Sequence, residues 1–147
     1  MASNVINLNE HLQISRTLLS WLNQYPEKPV PVINYEYLPD DVPAMAMSTI
    51  QGATVVSRYI VGGYKAQYQF KLIYRLQPGN SNNNRLRADE ILDAMGVWAA
   101  TRDDKPVLGD GIRFLKIEVN TNSSLFARYE NGDEDHQILL TMTYEVI

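Results

Sequence analysis

The sequence predicts an α+β domain: a single, largely antiparallel sheet with two helices packed on one face. Three patterns predict it. Tyr64 to Leu76 alternates apolar and polar residues almost without fault, as a strand does with one face in a core. Two segments, from about Leu8 to Tyr25 and from about Arg85 to Thr101, repeat apolar residues at helical spacing. After Gly111 the chain reads as three strands joined by short turns. Runs of strands set apart by two helices favour α+β over a parallel, doubly wound sheet. The 147 residues suit one domain, 1–147, with no internal repeat or linker.

In the first helix Asn7 is placed to cap and Glu10 follows three residues on. Leu8, Leu12, Leu19 and Leu22 share one sector of the wheel, and Leu18, Tyr25, Ile14 and Trp21 widen it to about half the cylinder. That is wider than one packing contact requires. Either the helix is sunk in its own core, or its margin at Ile14 and Trp21 touches another subunit. Pro26, Pro29 and Pro31 stop the helix.

Val32 to Leu38 reads as a strand with Ile33, Tyr35 and Tyr37 on one face. Ala44 to Ile50, which includes Met45 and Met47, is uncharged and reads as a loop or short strand interrupted by Gly52. Ala53 to Val61 is rich in β-branched residues, and Gly62-Gly63 supplies the positive φ angles of a two-residue hairpin turn. The strand that follows places Tyr64, Ala66, Tyr68, Phe70, Leu72, Tyr74 and Leu76 on one face. Lys65, Gln67, Gln69, Lys71, Ile73 and Arg75 fall on the other.

A polar loop, Pro78 to Asn84, ends in helix-capping residues. The second helix carries Ala88, Ile91, Leu92, Met95, Trp98 and Ala99 in one stripe, with Asp89 and Glu90 early and Arg102 near its end, as the macrodipole favours. The three final strands are Ile112 to Asn120 (Leu115, Ile117 and Val119 on one face), Ser124 to Glu130 (Leu125, Ala127, Tyr129) and His136 to Ile147 (Ile138, Leu140, Met142, Tyr144, Val146). The acids Glu130, Asp133, Glu134 and Asp135 are expected at a solvated hairpin tip.

Composition narrows the function. The formal net charge is −4 and the cations are scattered, whereas a sequence-independent nucleic-acid binder needs clustered Lys or Arg. There are no cysteines, hence no disulfide framework, thiolate zinc site or cysteine nucleophile, which fits a reducing compartment. The N-terminus shows no secretory leader pattern, and no apolar run approaches the roughly 20 residues of a membrane span.

No catalytic constellation emerges. Gly109-Asp110-Gly111 lacks the third glycine of a dinucleotide motif and precedes a strand, so it reads as a turn. There is no Walker sequence and no G-x-S-x-G elbow. His11 and His136 lie in different elements without a partner at metal-ligand spacing, so no metal or cofactor is expected. Nine tyrosines and two tryptophans suit either a Tyr-rich sheet core or an interface that is dry on one side. Binding and assembly, not catalysis, is the expected mode of action.

From Gln69 onward the chain resembles a known family. Phe70-Lys71-Leu72-Ile73-Tyr74-Arg75 runs into an Asn-rich loop, followed by Ala88-Asp89-Glu90-Ile91-Leu92-Asp93-Ala94-Met95 and Leu115-Lys116-Ile117-Glu118-Val119. Ser124 to Glu130 and a closing Thr143-Tyr144-Glu145-Val146 complete the pattern. These segments resemble the small "minor capsid" proteins of long-tailed phages and prophages of Gram-positive bacteria, which are similar in turn to phage tail terminators. The resemblance implies a ring, usually of six copies, that caps the tail tube, meets the head connector and lets DNA pass through its lumen. It implies assembly in the host cytoplasm and residence at the head–tail junction of the virion. It implies no catalytic residues.

The candidate surfaces for self-assembly or for the tube are Ile14 and Trp21, Met45 and Met47, and the polar strand face Lys65, Gln67, Gln69 and Lys71. A head-completion or connector component is the nearest rival. A small-ligand or peptide-binding domain, using Tyr64, Tyr68, Phe70 and Tyr74 as a pocket floor, is the rival from another class.

Overall fold

The structure, a computed structural model, describes residues 6–147, with 51 and 52 described by backbone only. It is α+β. The elements are α1 (Leu8–Leu22), β1 (Ile33–Tyr35), β2 (Ala44–Arg58), β3 (Tyr64–Leu76), α2 (Asn82–Thr101), β4 (Ile112–Val119), β5 (Ser124–Arg128) and β6 (Glu134–Val146). The sheet runs β1-β2-β3-β6-β4, with β5 also paired to β6. β4 occupies the Leu140–Val146 part of one β6 edge and β5 the Glu134–Gln137 part of the same edge.

Both helices cover one face. Alternate residues of β3 (Ala66, Tyr68, Phe70, Leu72) and of β6 (Ile138, Leu140, Met142, Tyr144) point into the core they form, all fully buried or nearly so. The alternation read from the sequence therefore describes β3 and most of β6 correctly. α1 contributes Ile14, Leu18, Trp21 and Leu22, and α2 contributes Ala88, Leu92, Met95 and Ala99. Gly96 lets α2 sit down on the sheet: a Cβ there would lie 3.0 Å from Ile138 Cδ1 and 3.1 Å from Val119 Cγ2.

Local chemistry sets the element ends. Asn7 Oδ1 accepts from the Glu10 N–H at 2.9 Å, capping α1. α1 stops at Leu22, three residues before the predicted end. Asn23 takes the next position, and its side-chain amide bonds the Leu19 carbonyl and both backbone groups of Ile33. That clamp lays β1 beside β2 in parallel, Ile33 against Met45. α2 starts at Asn82, three residues earlier than predicted, because Ser81 caps it by accepting from the Asn84 N–H.

Two differences from the sequence reading share a cause. Ala44 to Ile50 is neither a loop nor separate from the next strand: β2 is continuous from Ala44 to Arg58, and a bulge between Thr49 and Ala53 absorbs the Gly52 interruption. In β4 a bulge between Phe114 and Lys116 breaks the alternation, so Ile112, Phe114 and Ile117 turn toward the core while Leu115 faces solvent. An inserted residue reverses which face each later side chain takes, and a strict period of two cannot register it.

Candidate assembly interface

Among the described residues no helix covers the sheet's second face. Lys65, Gln67, Gln69, Lys71, Ile73 and Arg75 lie on it, all half-buried, beside Thr141 and Thr143 of β6. Lys71 lies over the Phe126 ring at 4.8 Å and Arg75 over Tyr129 at 4.7 Å, so cations and aromatics alternate across it. The four polar residues predicted for this face are placed together by the structure.

The other four candidates are not surface residues. Ile14, Met45 and Met47 are fully buried and Trp21 is 4% exposed. Met45 and Met47 pair with Tyr74 and Leu72 of β3 and share their core-facing side. Trp21 closes the space between the helices: its ring lies 4.9 Å from Trp98, its Nε1–H donates to the Asp104 carbonyl at 2.7 Å, and the Arg102 guanidinium covers both rings. Ile14, Met45 and Met47 have no surface to offer a neighbour as they stand, and Trp21 shows only an edge, in the wall of a hollow it shares with Arg16, Ser20 and Lys105.

The wide stripe of α1 does leave one margin uncovered, on the opposite side. Leu8 and Leu12 are exposed and Leu19 is half-buried. Leu12 and Leu19 line an apolar groove of about 250 Å³ with Ser15, Arg16 and Tyr35. The groove lies between α1 and Tyr35 of β1, and β1 pairs with β2 only from Met45 to Met47. Beyond β1 the chain turns away at Glu36, which holds φ +54°, a left-handed value uncommon for this residue. Its carboxylate accepts from the Thr49 N–H (2.6 Å) and the Ser48 hydroxyl (2.7 Å), sealing two more edge positions. Burial pushes this carboxyl up, but those hydrogen bonds outweigh it and hold it below its ordinary range.

A second exposed apolar feature is the β2–β3 hairpin tip. Ile60 and Val61 are fully exposed, and Val56 is half exposed. The turn is wider than two residues, since the last strand pair is Arg58 with Tyr64. It is well tied. The Tyr59 N–H donates to the Gly63 carbonyl, and the Tyr59 hydroxyl donates to Glu145, which is also paired with Arg113.

The acidic turn before β6 is solvated at Glu130, as expected, but not at its other three acids. Asp133, Glu134 and Asp135 are all buried. Glu134 meets Arg85 at 2.9 Å, Arg128 at 3.1 Å and His136 at 3.3 Å. The Arg85 hydrogen bond leads in holding the Glu134 carboxyl down to about 2, against desolvation. Asp135 takes two hydrogen bonds from Arg75, and that bonding pushes the guanidinium's pKa up. His136 sits between Glu134 and Asp89, and Ser123 donates to the same Asp89 oxygen at 2.8 Å. Glu134 and Asp135 are matched to cations from other elements and Asp133 to the amides of Gln77 and Asn131, so the cluster holds α2, β3, β5 and β6 together. Among the described residues no group of three or more metal-ligating side chains stands ready for an ion.

The proposed pocket floor is also occupied: Tyr68, Phe70 and Tyr74 are buried in the core against the helices. Among the described residues no helix is long and apolar enough to cross a membrane.

The fold has a solved counterpart. Over 96% of this chain and 99% of the other, it superposes on a chain from the virion of a native gene transfer agent particle, with a TM-score of 0.57 and 14% identity. No protein-family model matches the sequence, and neither does any curated protein. At that identity the likeness is one of fold, and the near-complete coverage of both chains means that the fold is shared whole.

Proposed function

We propose that this chain is a structural subunit of a phage-type virion and acts as a tail terminator. In this reading six copies assemble into a ring that caps the tail tube and joins it to the head connector while DNA passes through the lumen. The observation that carries the reading is the end-to-end fold likeness to a chain of a virion particle, which agrees with the family resemblance carried by Phe70 to Arg75, Ala88 to Met95 and Ser124 to Glu130. A ring requires two different patches per subunit, closed by rotation. The chain offers unlike surfaces for this: the polar sheet face with Lys65, Gln67, Gln69 and Lys71, the apolar groove along α1, and the hairpin tip. The sheet face suits the tube or lumen, since its cations are spaced among Gln and Thr and lack the density that would grip phosphate tightly.

Electron microscopy of the purified protein incubated with assembled tail tubes tests this. Rings seated on one end of the tubes, with tube growth stopped there, are expected. Tubes that lengthen unchanged, with the protein left free, overturn the reading.

A further inference from the structure

We propose that the β2–β3 hairpin tip of one copy inserts into the α1 groove of the next, and that this is the contact from which the ring is built. The inference rests on the ring reading above and names the surfaces that ring would use.

Both halves of the contact are on the chain, and each keeps apolar surface that the fold leaves open. The tip sequence Tyr59-Ile60-Val61-Gly62-Gly63-Tyr64 has no charge, and it presents Ile60 and Val61 wholly to water. Two adjacent, fully exposed aliphatics on a hydrogen-bonded turn form a pre-ordered knob, so little conformational freedom is lost on docking. The groove is lined by Leu12, which is exposed, and by Leu19 and Tyr35, which pack against the core on one side and stay partly open on the other.

The tip stays out of its own chain's groove: Ile60 and Val61 are wholly exposed, and no tip residue lines the groove. Tyr35 pairs with Met47, and the tip begins beyond Arg58 at the far end of the same strand. At the usual strand rise Tyr35 is roughly 30 Å from the tip, whereas the Ser15 end of the groove, bonded to Tyr68, lies closer to it. The occupant assigned to the groove is a second copy, since every copy carries an uncharged apolar knob that its own groove does not hold. Knob and groove are different patches, so the contact is heterologous and repeats from copy to copy until rotation closes it.

The chain has no cysteine, so introduced thiols react without background. Val61→Cys protein is mixed with Leu12→Cys protein under mild oxidation, and the disulfide-linked species are separated by mass. As control, Val61→Cys is mixed with Leu86→Cys, whose site on α2 is more exposed than Leu12. Docking raises the local thiol concentration, so the Val61→Cys with Leu12→Cys heterodimer is expected to form at least about tenfold faster than the control pair. It should also outrun the homodimers of either protein. Because cross-linking traps transient encounters, a protein that is monomeric on a sizing column still reports. A heterodimer no faster than the control overturns the contact. Tube capping without this cross-link removes the contact and leaves the tail-terminator reading; the cross-link without tube capping does the reverse.

Discussion

The Ser15 and Tyr68 hydroxyls lie 2.7 Å apart in the core where α1 crosses β3, and both side chains are buried. This polar pair fixes the position of the helix along an otherwise apolar strand face. Removing one partner leaves the other without its partner in a dry site. Ser15→Ala or Tyr68→Phe is expected to cost about 1–2 kcal/mol, and the double variant less than the sum of the two. Chemical denaturation of the four proteins checks this, and strict additivity would refute the coupling.

Stability should form a plateau bounded by two titrations. The Glu134 carboxyl titrates near 4.5 when free and near 2 in the fold. A lowered pKa means that its contribution is complete above 4.5 and drains away as pH falls toward 2. The Tyr64 hydroxyl, raised from 10.0 to about 12 by burial and by its bond to Glu10, behaves oppositely. Its contribution is complete below 10 and is lost as pH rises through 12. Melting temperature measured against pH should fall at both ends. Glu134→Gln is expected to flatten the acid limb and Tyr64→Phe the alkaline one.

Gly63 and Gly62 both hold positive φ, yet they should not respond alike. A Cβ on Gly63 would sit 2.2 Å from the Val146 carbonyl oxygen, whereas one on Gly62 meets nothing within 4 Å. Gly62→Ala is expected to cost about 1–2 kcal/mol from backbone strain alone. Gly63→Ala should cost distinctly more, and hydrogen exchange at Tyr64 and Val146 should accelerate as the end of β3 parts from β6.

The β4 bulge gives a test by contrast. Leu115 faces solvent and Ile117 is buried. Leu115→Thr is expected to change stability by no more than about 0.5 kcal/mol. Ile117→Ala should cost about 2–5 kcal/mol. Similar losses at both positions would mean that the strand alternates as its sequence alone suggests.

Much of the fold was legible because its long strands obey a period of two. Tyr64 to Leu76 declared its limits, its faces and its antiparallel neighbour. Legibility failed where a single residue breaks the period, as at Leu115, and where pairing depends on a remote clamp, as at Asn23 with Ile33. The helical wheel gave the width of the α1 stripe but not which margin its own core would cover. Ile14 and Trp21 were named for the surface, while Leu8, Leu12 and Leu19 hold it. Likewise the run Asp133 to Asp135 looks solvated in sequence, because nothing local reveals that Arg75, Arg85 and Arg128 converge on it from three other elements.

β6 joins β3 along one edge and both β4 and β5 along the other, yet it comes last of the described strands in chain order. As the chain leaves the ribosome, the β2–β3 hairpin and the β4–β5 segment wait as separate fragments with their bonding edges open. Neither can share a sheet with the other until the final strand slides between them. Maturation is thus a late, all-at-once event, and an emerging chain shorn of those residues would be food for proteases rather than a smaller working domain.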